Sequence, residues 1–287
     1  MIIKVPASTA NLGPGFDSIG MAVSLYLEVE VLSVSDRFQV DHVMPKIPHD
    51  ENNLIVKTAL SVYPGMPALH LRVKSDIPLA HGLGSSSSAI AAGIELADHF
   101  GKLGLSDKEK VQIGARIEGH PDNIAPTILG GLVVGTEVDH HFDAVKLPLP
   151  PYSLVAYVPN YNLSTKKART VLPKSLDFKT ATHGSAIANT LVASLFAQNY
   201  QIAGELMEKD AFHEPYREKL VPELLKVREV AHQKDAIATY LSGAGSTIMT
   251  WIEDKHVKGF LSGLRKNDLK DKTLILHPDE HGVQIIE

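Results

Sequence analysis

Val23, Leu25, Leu27, Val29 and Val31 alternate with Ser24, Tyr26, Glu28 and Glu30. A period of two over nine residues predicts a strand with one face in water. Leu69, Leu71 and Val73 alternate in the same way with His70, Arg72 and Lys74. Such half-wet strands point to antiparallel pairing and not to a parallel sheet covered on both faces. The period changes at Ser85. From there to Phe100, Ala89, Gly93, Leu96, Ala97 and Phe100 fall on one helical face. Ser106 and Glu109 have the spacing of a capping box, which predicts a second helix running toward Glu118, with Val111, Ala115 and Glu118 near one stripe. A carboxylate at a helix C-terminus opposes the helix dipole, and a cation facing Glu118 would remove that conflict.

The run Leu147-Pro148-Leu149-Pro150-Pro151 is the best boundary along the chain. Beyond it the pattern predicts a strand over Ser153–Val158, helices near His183–Gln198 and Pro222–Gln233, and a hairpin over Ile237–Ile252. A further helix and two short strands follow. There is no internal repeat. The expected architecture is α+β, with two domains of similar size, 1–150 and 151–287, sharing a cleft.

Composition narrows the function. The net charge is -5 and no basic run exceeds pairs such as Lys166-Lys167, which argues against nucleic acid as a partner. There are no cysteines, so disulfides and thiolate metal sites are excluded. No stretch approaches the ~18 consecutive apolar residues of a membrane span, and Met1–Pro6 is too short and interrupted for a signal peptide. A cytoplasmic protein without membrane partners is expected, and a homodimer is the ordinary oligomer for such a chain.

Four segments could carry chemistry. Leu79-Ala80-His81-Gly82-Leu83-Gly84-Ser85-Ser86-Ser87-Ser88-Ala89 joins a strand to a helix start. Its glycines allow close backbone approach, and the helix start offers hydroxyls and free N–H groups to a phosphate. It is neither a Walker A loop nor a dinucleotide fingerprint, and a flexible Gly/Ser connection would read similarly. Pro6–Asp17 holds Asn11 and Asp17 among turn-forming residues. Ser242-Gly243-Ala244-Gly245-Ser246-Thr247 is either a hairpin turn or a loop whose glycines pack against another loop or a phosphate. Glu118-Gly119-His120-Pro121-Asp122-Asn123 is dense in polar groups, although His120 and Asp122 lack the spacing of a zinc site.

Together and in this order, Pro6–Asp17, Pro78–Ala89 and Ser242–Thr247 resemble the three signature segments of the GHMP kinases, small-molecule kinases that use ATP. Ala10–Asp17, His120–Pro126, Leu163–Arg169 and Glu214–Arg217 resemble the homoserine kinase branch in particular. The resemblance implies a two-domain GHMP kinase fold. Its N-terminal domain is like domain 2 of ribosomal protein S5, its C-terminal domain is ferredoxin-like, and ATP lies between them on the Leu79–Ala89 loop.

The same resemblance implies Mg²⁺ held by Ser86 and Glu118. It implies L-homoserine bound by Asn11, Asp17, His120, Asp122, Arg169 and Arg217, with Thr165 and Asn123 at the point of transfer. Arg suits a carboxylate because its fork pairs bidentately. Arg217 also sits beside Glu214 and Glu218 and could be a surface helix charge. Asn123 stands where other branches carry a catalytic Asp, and Asn cannot accept a proton at neutral pH, so transfer without a dedicated base is expected. Asn53 and Val56 are candidates for the adenine. A mevalonate-like substrate and a non-catalytic sensor of ATP and a small ligand are the alternatives. An intact Ser86 and Glu118 weigh against the sensor.

Overall fold

The computed structural model describes residues 1–286. The first sheet is built on β1 (Ile2–Ala10) and the long β2 (Ile19–Val34), paired antiparallel, with Ile2 opposite Glu30 and Ala10 opposite Gly20. β3 (Gln39–Asp41) runs parallel to β4 (Leu69–Ser75), which pairs antiparallel with β2. Helix α1 (Leu54–Val62) lies between β3 and β4 in the chain. Along β4, Leu69, Leu71 and Val73 are buried, as their alternation predicts.

α2 (Ser85–Gly101) leaves β4 through the glycine-serine loop. It is more enclosed than one apolar face would require: every residue from Ile90 to Ala97 is buried, because α2 touches β1, β2, α1, α3 (Asp107–Glu118) and α4 (Ile124–Leu129). The Ser106–Glu109 capping box forms and starts α3, which ends at Glu118. β5 (Leu132–Val138) and β6 (His141–Leu147) make a hairpin on the other end of β2.

After the prolines, β7 (Ser153–Val158) enters a second sheet. The short α5 (Thr165–Thr170), α6 (Phe178–Phe196), α7 (Tyr200–Met207) and α8 (Glu214–Arg217) follow. α6 begins earlier than the apolar pattern predicts because Asp177 caps it by accepting from Thr180. α9 (Glu223–His232) leads to β8 (Ala238–Leu241) and β9 (Ile248–Ile252), which form the expected hairpin. α10 (Asp254–Lys266) and β10 (Lys272–Leu276) complete this layer.

The strand order β10-β7-β9-β8, all antiparallel, with α9 and α10 against it, is the ferredoxin-like arrangement. All six residues of β7 are buried. Leu154, Ala156 and Val158 join the core shared with the first sheet, whereas Val155 and Tyr157 pack with α9 and α10 residues such as Leu224 and Phe260. The last strand, β11 (Gln284–Ile286), crosses back to pair with β1, tying the two halves covalently at both ends.

Candidate active site

Three loops meet at the junction of the two sheets and are joined mainly by backbone groups. Thr247 N–H donates to His81 O (3.1 Å), Gly243 N–H to Ala10 O (3.0 Å) and Ser8 N–H to Leu83 O (3.3 Å). The Ser242 hydroxyl donates to Gly82 O at 2.6 Å. Gly82 has φ +75°, and a Cβ there would lie 2.2 Å from Ser242 O, so only glycine lets the loops approach this closely. Gly84 (φ +68°) caps α2 without a side-chain bond, leaving the first N–H groups of a 17-residue helix facing a cleft of ≈ 430 Å³.

Glu118 reaches this cleft from the end of α3. Ser87 Oγ donates to both of its carboxylate oxygens, at 2.8 and 2.6 Å. Ser86, expected from the sequence to hold a metal ion together with Glu118, lines the same cleft, and its hydroxyl also acts on the Glu118 carboxyl. The Glu118 carboxyl is pushed up to about 7, first by burial and then by Asp122, against the pull of Ser87 and His120. No Lys or Arg pairs with it among the described residues. A carboxylate and serine hydroxyls with no permanent cation of their own form an all-oxygen donor set that fits a hard divalent ion.

At the other end of the cleft, Arg169 makes a forked pair with Asp17, at 2.7 and 3.1 Å. Asp17 has φ +55° and is held by its N–H donating to Asn11 Oδ1. Asn11 in turn donates to Gly243 O. His120 Nδ1 bonds Asp122. Burial opposes the His120 charge, but the bond and charge of Asp122, with Asp17 and Glu118, outweigh it and raise its affinity for the proton. Asp17, His120 and Asp122 each place one ligand atom within 4.8 Å of the others, a grouping the His120–Asp122 spacing does not reveal.

Asn123 is bonded at both ends of its amide, accepting from Ser8 (3.0 Å) and donating to Asp122 (3.3 Å). Thr165, the first residue of α5, lines the same space.

Arg217 is no surface charge. It is 1% exposed and donates to Ala168 O, Gly243 O and His213 Nδ1. Burial, and then Arg169, draw its pKa down to about 10, so it stays charged at neutral pH. Glu214 is not its partner: that carboxylate accepts from Leu241 N–H and Arg228, fixing the short α8 that carries Arg217 to β8.

Residues 53–131 match the family description "GHMP kinases N terminal domain" and residues 191–268 "GHMP kinases C terminal". A homoserine kinase of Lactobacillus acidophilus is 87% identical over 287 residues, covering 100% of both chains. One of Limosilactobacillus fermentum is 55% identical over 99% of this chain and 100% of its own. The chain belongs to the homoserine kinase family of GHMP kinases. A solved homoserine kinase structure from Listeria monocytogenes superposes with a TM-score of 0.90 at 40% identity, covering 100% of this chain and 99% of that one. A mevalonate kinase structure, 17% identical with a TM-score of 0.72 over 98% of this chain and 100% of its own, shares the fold.

Of the residues the sequence assigned to this homoserine kinase site, Ser88 is wholly buried and donates to Pro6 O and Gly84 O, Leu79 and Ala89 stand behind the lining, and all the other polar ones border one cleft. The adenine candidates do not. Val56 is wholly buried, and the Asn53 side chain caps α1 and donates to Pro48 O. The apolar wall of the cleft comes instead from Leu54, Pro78, Ile90 and Ile117. Leu54 and Ile117 are among the exposed large apolar residues, a signal that no periodicity carries. Sequence reasoning also missed Ser8 and Phe16, and it named Ser87 only as part of the phosphate loop. Phe16 lay in plain view beside Asp17 within a matched motif.

Proposed function

We propose that this chain transfers the γ-phosphoryl group of ATP to the side-chain hydroxyl of L-homoserine, giving O-phospho-L-homoserine and ADP in threonine biosynthesis in the cytoplasm. One observation carries the reading: a phosphate-binding helix start and an unneutralised Glu118 stand at one end of a cleft whose other end holds Arg169, Arg217 and the Asp17–His120–Asp122 group. A zwitterion with a terminal hydroxyl suits that division of charge.

In this reading residues 1–150 supply the nucleotide loop and 151–287 supply the arginine-bearing segments. The Leu79–Ala89 loop and the α2 N-terminus take the phosphates. Ser86, Ser87 and Glu118 would hold Mg²⁺, which neutralises phosphate charge when bound. Leu54, Ile90 and Ile117 offer the adenine an apolar wall. Arg217, with Arg169, meets the substrate carboxylate, while Asp17 and Asp122, with Asn11 and His120, meet its ammonium and hydroxyl.

Asn123 has both ends of its amide committed and accepts no proton. It orients Ser8 and Asp122, and Thr165 borders the transfer point. Catalysis rests on positioning and charge neutralisation, with the hydroxyl proton passing to the transferred phosphoryl group.

ADP release measured in parallel with L-homoserine, mevalonate, galactose and serine tests this. Turnover is expected with homoserine. Turnover with mevalonate and none with homoserine would overturn the substrate and leave the kinase.

A further inference from the structure

We infer that Phe16 is a positioning residue for the substrate carboxylate, its ring holding the Arg169 and Arg217 guanidiniums in place while Arg217 carries no protein carboxylate on its N–H groups. The inference rests on the proposed homoserine reading.

The two guanidinium carbons lie over the Phe16 ring at 5.5 and 5.3 Å from its centroid, both inside the range of a cation–π contact. The ring cannot easily move. The turn from Asn11 to Ile19 is closed by Gly15 N–H donating to Asn11 O and by Ser18 and Ile19 N–H donating to Gly15 O. The His213 imidazole stacks on the ring at 5.3 Å and 23°. His213 Nε2 donates to Gly13 O, which leaves Nδ1 as the acceptor for Arg217 Nη1. Phe16, His213 and Arg217 are thereby one packed unit.

The charges explain why an aromatic ring serves here. Asp17 is taken by Arg169. Arg217 is buried, and its bonds go only to neutral acceptors, through Nε and Nη1. Asp17, Asp210 and Asp122 act on Arg217 through space without bonding it, and burial and the Arg169 charge still weaken Arg217's hold on its proton. A second protein carboxylate would neutralise Arg217 but occupy its fork. The negative face of a ring offsets the charge without using an N–H group. Both arginines therefore wait close together, and a substrate carboxylate meets them without first displacing an anion from Arg217.

The test is steady-state kinetics of the full-length enzyme with Phe16→Leu, Phe16→Tyr and a series of fluorinated phenylalanines at position 16, which keep the shape of the ring while weakening its negative face. KM for homoserine should rise about 10-fold in Phe16→Leu, with kcat and KM for ATP within about 2-fold of wild type. Phe16→Tyr should restore it, and KM should climb step by step with fluorine number. Inhibition by 3-aminopropan-1-ol, which lacks the carboxylate, should stay level across all variants.

A flat KM across the fluorinated series, or equal losses for homoserine and the carboxylate-free analogue, overturns the inference even if Phe16→Leu fails to fold. Wild-type turnover in the same assay separates the two claims. If wild type does not phosphorylate homoserine, the proposed function falls and this inference falls with it. Normal wild-type turnover with a flat series removes this inference alone.

Discussion

In the proposed function the nucleotide end of the cleft is made by consecutive residues, Leu79 to Ala89, running into a single helix whose start has no side-chain cap bond. The amino-acid end is assembled from side chains on four separated stretches: Asn11 and Asp17 after β1, His120 and Asp122 after α3, Arg169 on α5 and Arg217 on α8. On that proposal the first end meets charge that every ATP-dependent relative must handle, so a fixed loop suffices. The second must distinguish one small molecule, and side chains brought together over long sequence distances can be changed one at a time. Substitutions at the two ends should therefore fail differently.

The largest effect is expected at Glu118. Glu118→Gln should lower kcat by roughly 10²- to 10³-fold, the size expected when one charged stabiliser of a transition state is removed. KM for homoserine should stay near wild type, as initial rates over both substrates would register. Arg217→Lys comes next. It keeps the charge but loses the fork and the bonds to Ala168, Gly243 and His213. kcat/KM for homoserine should fall by about 100-fold, as for a charged hydrogen-bonding group left mispaired in a buried site. ATP affinity should not change, and titration calorimetry with each ligand reads that split.

A smaller, pH-dependent effect follows from Glu118. Its carboxyl holds its proton to about 7 in the folded chain against 4.5 ordinarily. Between those values the folded state binds more protons than the unfolded one, so this group's contribution to stability falls as pH rises from about 4.5 to about 7. An added divalent cation reverses the trend, because it binds the ionised form. The rise in Tm produced by Mg²⁺ should grow as pH passes from 6 to 8, and Glu118→Gln should flatten both slopes in thermal melts.

The contrast between the two ends also decides what the sequence revealed. β2, β4, α2 and α3 were legible because their signals are local: alternation, a loop-to-helix junction and the Ser106–Glu109 box. So were the three loops, whose glycines and serines lie together. The added contact of Ser87 with Glu118 was not legible, since which serine of the helix start meets that carboxylate depends on how α2 and α3 pack. The same holds for Arg217, whose neighbours Glu214 and Glu218 suggested a surface position until the fold carried Glu214 to Leu241 and Arg228. Phe16 could be read as a motif residue, but its place against two arginines from the other half of the chain could not. Val56 read as accessible only because nothing in its sequence shows α2 lying over α1.

The claim that most needs testing is that this kinase works by position and charge, without a carboxylate base. Asn123→Asp is a poor probe, because it would set a second carboxylate against Asp122, where Asn123 now donates. Asp17→Asn is the better one, measured as single-turnover phosphoryl transfer at saturating homoserine alongside homoserine affinity. The account predicts weaker homoserine binding, by about 5-fold for a partly exposed forked ion pair near the upper end of its range, with transfer persisting and its pH profile unchanged in shape. Loss of transfer by about 10³-fold or more with homoserine affinity intact would identify Asp17 as a general base and contradict the account.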